Sequence, residues 1–425
     1  MSRLIRVFEY EKLTIHSKCS EGEELGEKVI NKLLEYNDKN KNIYFEGIRN
    51  GVKFKQFVGV IQIGNITIEI LPKADKNKGS EEDKLEWHDV WLKMLAKCKK
   101  IKVDSVSEAS LRKRYHSLLD LYFELFLKEV NYLIEQGLIK KYRMNSGNLT
   151  ALKGRINFGK NIQNNLIHKE RFHTTHQVYD YDHLINQILF KALLVLQSIT
   201  NNRSLSDSII RTLGRFPEIT ENSINKSHFD SLSISRKSIK YDEAIKIAKM
   251  ILLNYSPDIK GGDENMIALL FDMNKLWEEY VYRELVSYQD ENLKVNFQNS
   301  DKFWENKRIK PDIVITKKVG EDIKETFIVD TKWKVIDPRK PADDDLKQMF
   351  AYNLYWDSSK SMLLYPSSIP ENTSFGTFHK GRKGENKCKL GFIKVMKERS
   401  LNPDLGHEIL KLLEIEVKKK RVIIK

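Results

Sequence analysis

The chain has few cysteines and no long apolar run. Its 425 residues include only Cys19, Cys98 and Cys388, with no Cys-x-x-Cys pair. This argues against a disulfide framework or a structural zinc site and favours a reducing compartment. No apolar stretch approaches the roughly 18 residues of a membrane span, and charges interrupt the apolar start of the chain, unlike a signal peptide. We therefore expect a cytoplasmic protein without a membrane partner.

Two other kinds of site are missing or poorly supported. The phosphate-binding sequence Gly-x-x-x-x-Gly-Lys-Ser/Thr does not occur, so the chain shows no nucleotide motor of its own. Four histidines lie close in sequence: His168, His173, His176 and His183. They lack cysteine partners and the helical His-Glu-x-x-His pattern, so we do not expect a metal site there.

Positive charge is in excess. The formal net charge is +14 and the isoelectric point is near 9.3, which favours a polyanionic partner. Residues 379–384 predict a flexible basic loop that could bind phosphates, and residues 418–421 form a second basic run. The alternative for both is a solvated face or tail.

Local patterns change character along the chain. Residues 57–63 and 66–71 predict two strands joined by a turn at Gly64-Asn65. In the second strand Ile66, Ile68 and Ile70 share one face, opposite Thr67 and Glu69, so we expect that strand to be half-buried. From about residue 108 the pattern becomes helical, with helices over 118–137, 184–199 and 241–253 and loops with short helices over 201–236. A polar stretch at 75–83 predicts a surface loop, and residues 256–263 predict a domain boundary.

Two short apolar runs that each carry one acid are the most informative feature. Asp312 precedes Ile313-Val314-Ile315, and Asp330 follows Phe327-Ile328-Val329, two residues before Lys332. Alternation along a strand puts Asp330 and Lys332 on one face, and a hairpin would bring Asp312 beside them. Such oxygen ligands suit Mg²⁺, with Mn²⁺ as a substitute. The lysine would orient a water or offset charge on a phosphate. The alternative is a charged surface hairpin.

The surrounding order of elements resembles the core of the PD-(D/E)xK nucleases. We predict a helix over 265–286, a strand over 293–297, the two acid-bearing strands, a helix over 344–356 and a strand over 361–366. Gln348 and Tyr352 lie four residues apart on one helix face and resemble the RecB-like branch of these enzymes.

Several blocks together resemble a narrower family, McrC, the nuclease subunit of restriction systems that attack modified DNA. In the carboxyl-terminal half the similar blocks are residues 273–281, 330–333, 348–352 and 364–366. In the amino-terminal half they are residues 58–73, 136–142 and 152–156.

The resemblance implies a function and a partner. It implies a metal-dependent DNA endonuclease subunit of a phage-defence system, which cleaves modified double-stranded DNA when assembled with a McrB-like AAA+ motor and stimulates that motor. The motor would be a GTPase, as in the best-known systems, or an ATPase. A non-catalytic adaptor that activates the motor and a stand-alone RecB-like exonuclease are the alternatives.

The resemblance also implies residue roles and a division of labour. Asp312, Asp330 and the backbone carbonyl of Thr331 would bind the metal, joined by Glu278, although helix phase leaves Glu279 open. Lys332, Gln348 and Tyr352 would complete the catalytic set. Arg155 is a candidate for contacting the motor, or else a solvated turn residue.

We predict a mixed α+β chain in three parts. Residues 1–160 would form a partner-binding region that is β-rich and then helical. Residues 161–260 would form a helical middle region, and residues 261–425 an α/β PD-(D/E)xK domain of restriction-endonuclease type.

Overall fold

The computed structural model describes most of the chain. The described residues are 3–20, 22–73, 80–100, 117–233, 236, 238–256, 265–318, 324–337, 340–367, 373–379 and 386–417. The second basic run, nearly all of the predicted basic loop, residues 75–79 of the predicted surface loop and nearly all of the predicted boundary at 256–263 lie outside them.

Helices and strands alternate irregularly along these residues. The helices are α1 (Gly26–Lys39), α2 (Glu81–Lys97), α3 (Leu118–Glu135), α4 (Phe158–Asn165), α5 (Leu184–Ile199), α6 (Arg203–Arg215), α7 (Lys226–Asp230), α8 (Asp242–Asn254), α9 (Met273–Val286), α10 (Asp343–Tyr355) and α11 (Leu405–Leu412). The strands of the first part are β1 (Arg3–Phe8), β2 (Lys12–Thr14), β3 (Phe45–Ile48), β4 (Gly51–Phe54), β5 (Phe57–Ile63), β6 (Ile66–Leu71), β7 (Lys141–Leu149), β8 (Arg155–Ile156), β9 (Phe172–Asp180), β10 (Tyr255–Ser256) and β11 (Met266–Asp272). The later strands are β12 (Leu293–Phe297), β13 (Asp301–Trp304), β14 (Lys307–Ile309), β15 (Ile313–Lys318), β16 (Lys324–Thr331), β17 (Lys360–Pro366), β18 (Gly376–Thr377), β19 (Lys387–Ile393), β20 (Met396–Lys397) and β21 (Ser400–Leu401).

The chain forms two compact units that interleave in sequence. One consists of Met1–Leu4, Val60–Thr67 and Tyr115–Leu269, and the other of Ile5–Gly59, Ile68–Arg114 and Leu270–Lys425. The second unit therefore combines amino-terminal segments with the part of the chain that carries the acid-bearing strands. The predicted division into residues 1–160, 161–260 and 261–425, and the role given to each part, stays a prediction.

Several sheets make this a mixed α/β protein. The strand orders of the smaller sheets are β1-β6-β5-β11-β10, β2-β4-β3 and β7-β9-β8, and two hairpins, β13-β14 and β20-β21, stand alone. The largest sheet has the order β12-β15-β16-β17-β19-β18. Within it β12, β15 and β16 are antiparallel, whereas β16, β17 and β19 are parallel.

The core on one side of this largest sheet is apolar. Met349 and Tyr352 of α10 pack there against Ile328, Leu363 and Phe392 from three adjacent strands. Burial of such large side chains is worth about 1.5–3 kcal/mol each. This packing holds α10 against the strand that carries Asp330.

Most predicted elements are confirmed, within a residue or two. The strands at 57–63, 66–71 and 293–297 and the helix at 184–199 have the predicted bounds. Gly64 has a φ of +54° at the predicted turn, and Gly137 has a φ of +79° just beyond α3. Positive φ is the conformation for which glycine is favoured at both places. The three cysteines are buried free thiols.

The predicted helix over 265–286 is wrong in its first part. Residues 266–272 form strand β11, and helix α9 begins only at Met273. The side chain of Asp272 accepts a hydrogen bond from the backbone of Asn274 and so caps this helix. A short continuous apolar run such as 266–269 fits a buried strand as well as a helix.

The predicted half-burial of β6 is also wrong, because all six residues of that strand are buried. Glu69 is 0% exposed and is paired with Arg6 at 2.9 Å and with His88 at 3.5 Å. Burial alone would raise the pKa of Glu69, but His88 and Arg6 outweigh burial and lower that pKa. The polar face of the strand is therefore buried as an ion-paired cluster.

No helix among the described residues is both long and apolar enough to cross a membrane.

Candidate functional site

The predicted acid-bearing hairpin forms. Strands β15 and β16 pair antiparallel, with Ile313 opposite Val329, so Asp312, just before β15, lies beside the end of β16. The carboxylate of Asp312 accepts hydrogen bonds from the backbone N–H of Thr331 at 2.7 Å and from its hydroxyl at 3.0 Å. These bonds fix the Asp312 side chain against the strand that carries Asp330.

Glu278 joins the two aspartates from helix α9. Its carboxyl group is close enough to Asp312 and Asp330 for their charges to repel. The adjacent Glu279 instead forms ion pairs with Lys100 at 2.9 Å and Arg283 at 3.3 Å. The helix phase that the sequence left open is thereby settled: Glu278 faces the aspartates and Glu279 does not.

The three carboxyl groups are crowded and partly dehydrated. Burial, followed by the charge of Glu278, raises the pKa of Asp312 from 3.8 to about 6. Burial, followed by the charge of Asp312, raises the pKa of Asp330 from 3.8 to about 6. Burial also raises the pKa of Glu278. Crowded carboxylates of this kind fit a hard divalent cation, because it would offset their repulsion and prefers oxygen ligands.

The ligand set itself stays a prediction. Within the described ranges, no three His, Cys, Asp or Glu side chains are already gathered closely enough to hold an ion. The carboxyl groups would therefore have to draw closer around a bound cation. The role of the Thr331 carbonyl is likewise a prediction.

Of the clustered histidines, His173 and His176 are buried, and His173 contacts the side chain of Asn148 at 3.1 Å.

Lys332 lies at the rim, on the same face as Asp330. Its ammonium nitrogen is 2.8 Å from Asp330 Oδ2 and 3.7 Å from Asp345 Oδ1. Burial alone would lower the pKa of Lys332, but the two aspartates outweigh burial and raise that pKa. The lysine is therefore a fixed ammonium beside a carboxylate that is only 2% exposed.

Gln348 and Tyr352 reach the lysine from α10. The Lys332 ammonium donates to Gln348 Oε1 at 3.3 Å, and the Gln348 amide donates to the Tyr352 hydroxyl at 2.6 Å. That hydroxyl donates in turn to the backbone carbonyl of Lys310 at 2.8 Å. The structure thus brings together all the side chains that the sequence singled out for catalysis.

Three residues of this network, Gln298, Lys310 and Asp345, were not predicted from the sequence. Gln298 donates to Glu278 at 2.6 Å and accepts from the Lys310 ammonium at 2.7 Å. Asp345 accepts from the Lys334 ammonium at 2.8 Å. The sequence could have indicated Asp345, because this residue lies three positions before Gln348 on the same helix face. Lys310 stands next to the Pro-Asp pair, whereas nothing in the sequence marks Gln298.

Comparison with known proteins shows the family of the chain. A chain in the half-complex of Thermococcus gammatolerans McrB AAA+ hexamers with bound McrC is similar with a TM-score of 0.69 and 19% identity, over 97% of this chain and 99% of that one. At this identity the likeness shows the fold alone. The type IV methyl-directed restriction enzyme EcoKMcrBC of Escherichia coli (strain K12) is 26% identical over 182 residues, which are 40% of this chain and 52% of that protein. The match thus spans about half the length of that relative. The family model described as McrBC 5-methylcytosine restriction system component matches residues 52–366. The chain therefore belongs to the McrBC restriction-system family.

Proposed function

We propose that this chain is the McrC-type, metal-dependent DNA endonuclease subunit of a McrBC-like restriction system. It would cleave DNA when assembled with an AAA+ motor and would stimulate that motor's nucleotide hydrolysis. The observation that carries the proposal is the convergence of Glu278, Asp312 and Asp330 beside the Lys332 ammonium. A surface ion-pair network would not need three dehydrated carboxyl groups next to one another.

Each residue has a chemical role in this proposal. Asp312, Asp330 and Glu278 would hold the cation, with Thr331 fixing Asp312. A bound Mg²⁺, or Mn²⁺ in its place, would supply Lewis acidity and lower the pKa of a water. Lys332 would orient the attacking water or offset charge developing on the phosphate.

Two further side chains would position the lysine. Gln348 accepts from the Lys332 ammonium and donates to Tyr352. This chain of bonds restricts the lysine to one direction, towards Asp330. Restricting a catalytic group in this way lowers the entropy cost of reaching the transition state.

A separate surface supports the proposed assembly with a motor. Residues 141–180 form the sheet β7-β9-β8 with helix α4, and they expose an unusual number of large apolar side chains. These are Tyr142, Met144, Leu152, Phe158, Ile162, Leu166, Ile167 and Tyr179. Exposed apolar groups in such numbers are typical of protein-binding surfaces. Arg155 is exposed in the same sheet and would contact the motor, a McrB-type AAA+ protein.

The decisive experiment replaces one carboxylate. Asp330→Ala should abolish DNA cleavage and Mg²⁺ binding measured by calorimetry, while stimulation of the motor's nucleotide hydrolysis persists. Asp344→Ala is the matched control, because this acid of the same domain has a side chain that is 96% exposed. Cleavage by Asp330→Ala at the wild-type rate would refute the assignment.

The same experiment separates the alternatives. A wild-type chain that stimulates the motor but neither binds Mg²⁺ nor cleaves DNA would be the non-catalytic adaptor. Degradation of DNA from its ends without the motor would instead favour the RecB-like exonuclease.

A further inference from the structure

A two-stranded hairpin beside the site has no role in the chemistry proposed above. Strands β13 and β14 pair antiparallel and form a sheet by themselves. Trp304 is 62% exposed and Phe303 is 52% exposed. Lys302, Lys307 and Arg308 are exposed around them. The hairpin therefore presents two aromatic rings among three cations.

The base of this hairpin is attached to the site. Gln298, just before it, accepts a hydrogen bond from the Lys310 ammonium at 2.7 Å, just after it. The Tyr352 hydroxyl donates to the backbone carbonyl of Lys310 at 2.8 Å. The Tyr355 hydroxyl donates to the backbone carbonyl of Phe303 at 3.2 Å. The hairpin is thus anchored to helix α10, which also carries the residues that contact Lys332.

The charges of the hairpin are arranged unfavourably for the isolated protein. Lys302 lies directly opposite Arg308, and like charges in that arrangement destabilise a strand pair. Neither side chain forms an ion pair with any residue that the structure describes. The two acids of the hairpin lie elsewhere, Asp301 opposite Ile309 and Glu305 in the turn.

A three-stranded sheet of the chain shows one way in which such a pair is compensated. In the sheet β2-β4-β3, Lys53 lies opposite Lys12 on one side and opposite Glu46 on the other. Among the residues that the structure describes, no third strand pairs with the β13-β14 hairpin to supply such an acid. A polyanion bound across it would provide the missing negative charge.

We infer that the β13-β14 hairpin binds DNA next to the phosphodiester that is cut. Lys302 and Arg308 bind backbone phosphates, which position the DNA, and Trp304 packs against the bases, as exposed aromatic side chains do in other nucleic-acid complexes. This inference rests on the proposed function, since it takes DNA as the substrate of the neighbouring site.

DNA affinity is the direct test. Binding of a short fluorescein-labelled duplex is measured by anisotropy over a range of salt concentrations. Every protein, including the reference, carries Asp330→Ala so that no cleavage occurs. The hairpin variants are Trp304→Ala, Trp304→Phe and the double variant Lys302→Ala/Arg308→Ala. The controls are Tyr132→Ala, which removes another exposed aromatic ring, and Lys12→Ala/Lys53→Ala, which removes another cross-strand cation pair.

Each variant has its own expected result. Trp304→Ala should weaken binding about 5-fold or more, because stacking on one base is worth about 1–3 kcal/mol, and Trp304→Phe should retain most of the affinity. The double cation variant should lower the slope of log Kd against log salt by about 2, since each phosphate contact contributes about 0.9. Neither control should change affinity or slope.

Other results overturn the inference. It fails if the reference protein does not bind the duplex, or if hairpin variants and controls bind alike. Circular dichroism checks folding. Should an alanine variant unfold, Trp304→Leu and Lys302→Gln/Arg308→Gln keep the test decisive, because they remove the aromatic ring and the two charges but keep longer side chains. If the chain with Asp330 intact does not cleave while hairpin variants lose affinity, the nuclease proposal fails and only DNA binding by the hairpin stands. If that chain cleaves while hairpin variants bind normally, the hairpin inference fails and the nuclease proposal stands.

Discussion

Replacing Glu9 with glutamine should change how stability depends on pH. Glu9 is 4% exposed, and its Oε1 accepts hydrogen bonds from the Trp333 indole at 2.6 Å and from the backbone N–H of Lys73 at 3.0 Å. Burial, with a smaller contribution from Asp272, raises the pKa of Glu9 from 4.5 to about 7, although the two hydrogen bonds oppose this. Folding therefore favours the protonated form of this side chain.

The sign and size of the effect follow from linkage. Between pH 4.5 and about 7 the folded chain holds a proton on Glu9 that the unfolded chain releases. Stability must then fall as pH rises through this window and level off above it. A tenfold change in a protonation equilibrium is worth about 1.4 kcal/mol, so the full effect is about 3 kcal/mol.

The change of stability with pH reports the protonation of Glu9 better than the stability at one pH does. Oε2 of Glu9 is buried without a hydrogen-bond partner among the described residues, so the glutamine amide placed there would cost about 1–3 kcal/mol at every pH. This constant cost cancels when two pH values are compared. Between about pH 5 and about pH 8, the free energy of unfolding of Glu9→Gln relative to wild type should rise by about 2–3 kcal/mol.

Urea unfolding followed by tryptophan fluorescence would measure this difference. Glu291→Gln is the control, because Glu291 is exposed and its removal should leave the difference from wild type constant. A difference between Glu9→Gln and wild type that stays constant from about pH 5 to about pH 8 would contradict the reasoning.

Three further predictions concern catalysis, a glycine and the domain division. Lys332→Ala should lower kcat by about 10²–10³ with little change in DNA affinity. The control Lys347→Ala, which removes an exposed side chain, should match wild type. An equal fall in kcat and affinity would make Lys332 a binding residue only. Gly154→Ala should destabilise the β7-β9-β8 sheet by about 1–3 kcal/mol, because Gly154 has a φ of +73° and a Cβ there would lie 2.5 Å from the carbonyl oxygen of Thr175. Gly147→Ala, which meets nothing within 4 Å, should melt like wild type, and equal melting of both variants would exclude this strain. Residues 261–425 expressed alone should lack a cooperative thermal transition, because amino-terminal segments belong to the same compact unit, and a sharp transition would show that they are dispensable.

The acid-bearing hairpin could be predicted because its signals are local. Asp312 lies just before β15, and Asp330 and Lys332 lie at the end of the adjacent strand β16. Strand periodicity alone puts Asp330 and Lys332 on one face. Gln348 and Tyr352 share a helix face for an equally local reason. The contacts observed among these residues match that expectation.

The surroundings of the hairpin depend on contacts that no local pattern records. The choice between Glu278 and Glu279 required the packing of α9, which directs Glu279 to Lys100 and Arg283. The burial of Glu69 required partners from two other segments, Arg6 and His88. Alternation of apolar and polar residues predicts which face a side chain lies on, but not whether that face meets solvent.

A domain bounded by the predicted nuclease motifs, residues 261–425, would leave out part of this interleaved unit. Trp277 precedes Glu278 and Trp333 follows Lys332, and the two indole rings pack with centroids 5.3 Å apart. Since each tryptophan is the chain neighbour of a site residue, this contact links the positions of Glu278 and Lys332. Glu9 holds the Trp333 indole by a hydrogen bond, and Trp87 packs edge-on against the same ring at 6.4 Å.

Residues from the amino-terminal part of the chain thus support both sides of the candidate site. A displacement of the turn that carries Glu9, just after strand β1, would act on Trp333 before it reached any carboxylate. The geometry of the candidate site is therefore a property of the interleaved unit, in which residues 270–425 supply the candidate site side chains and the amino-terminal segments contact Trp333.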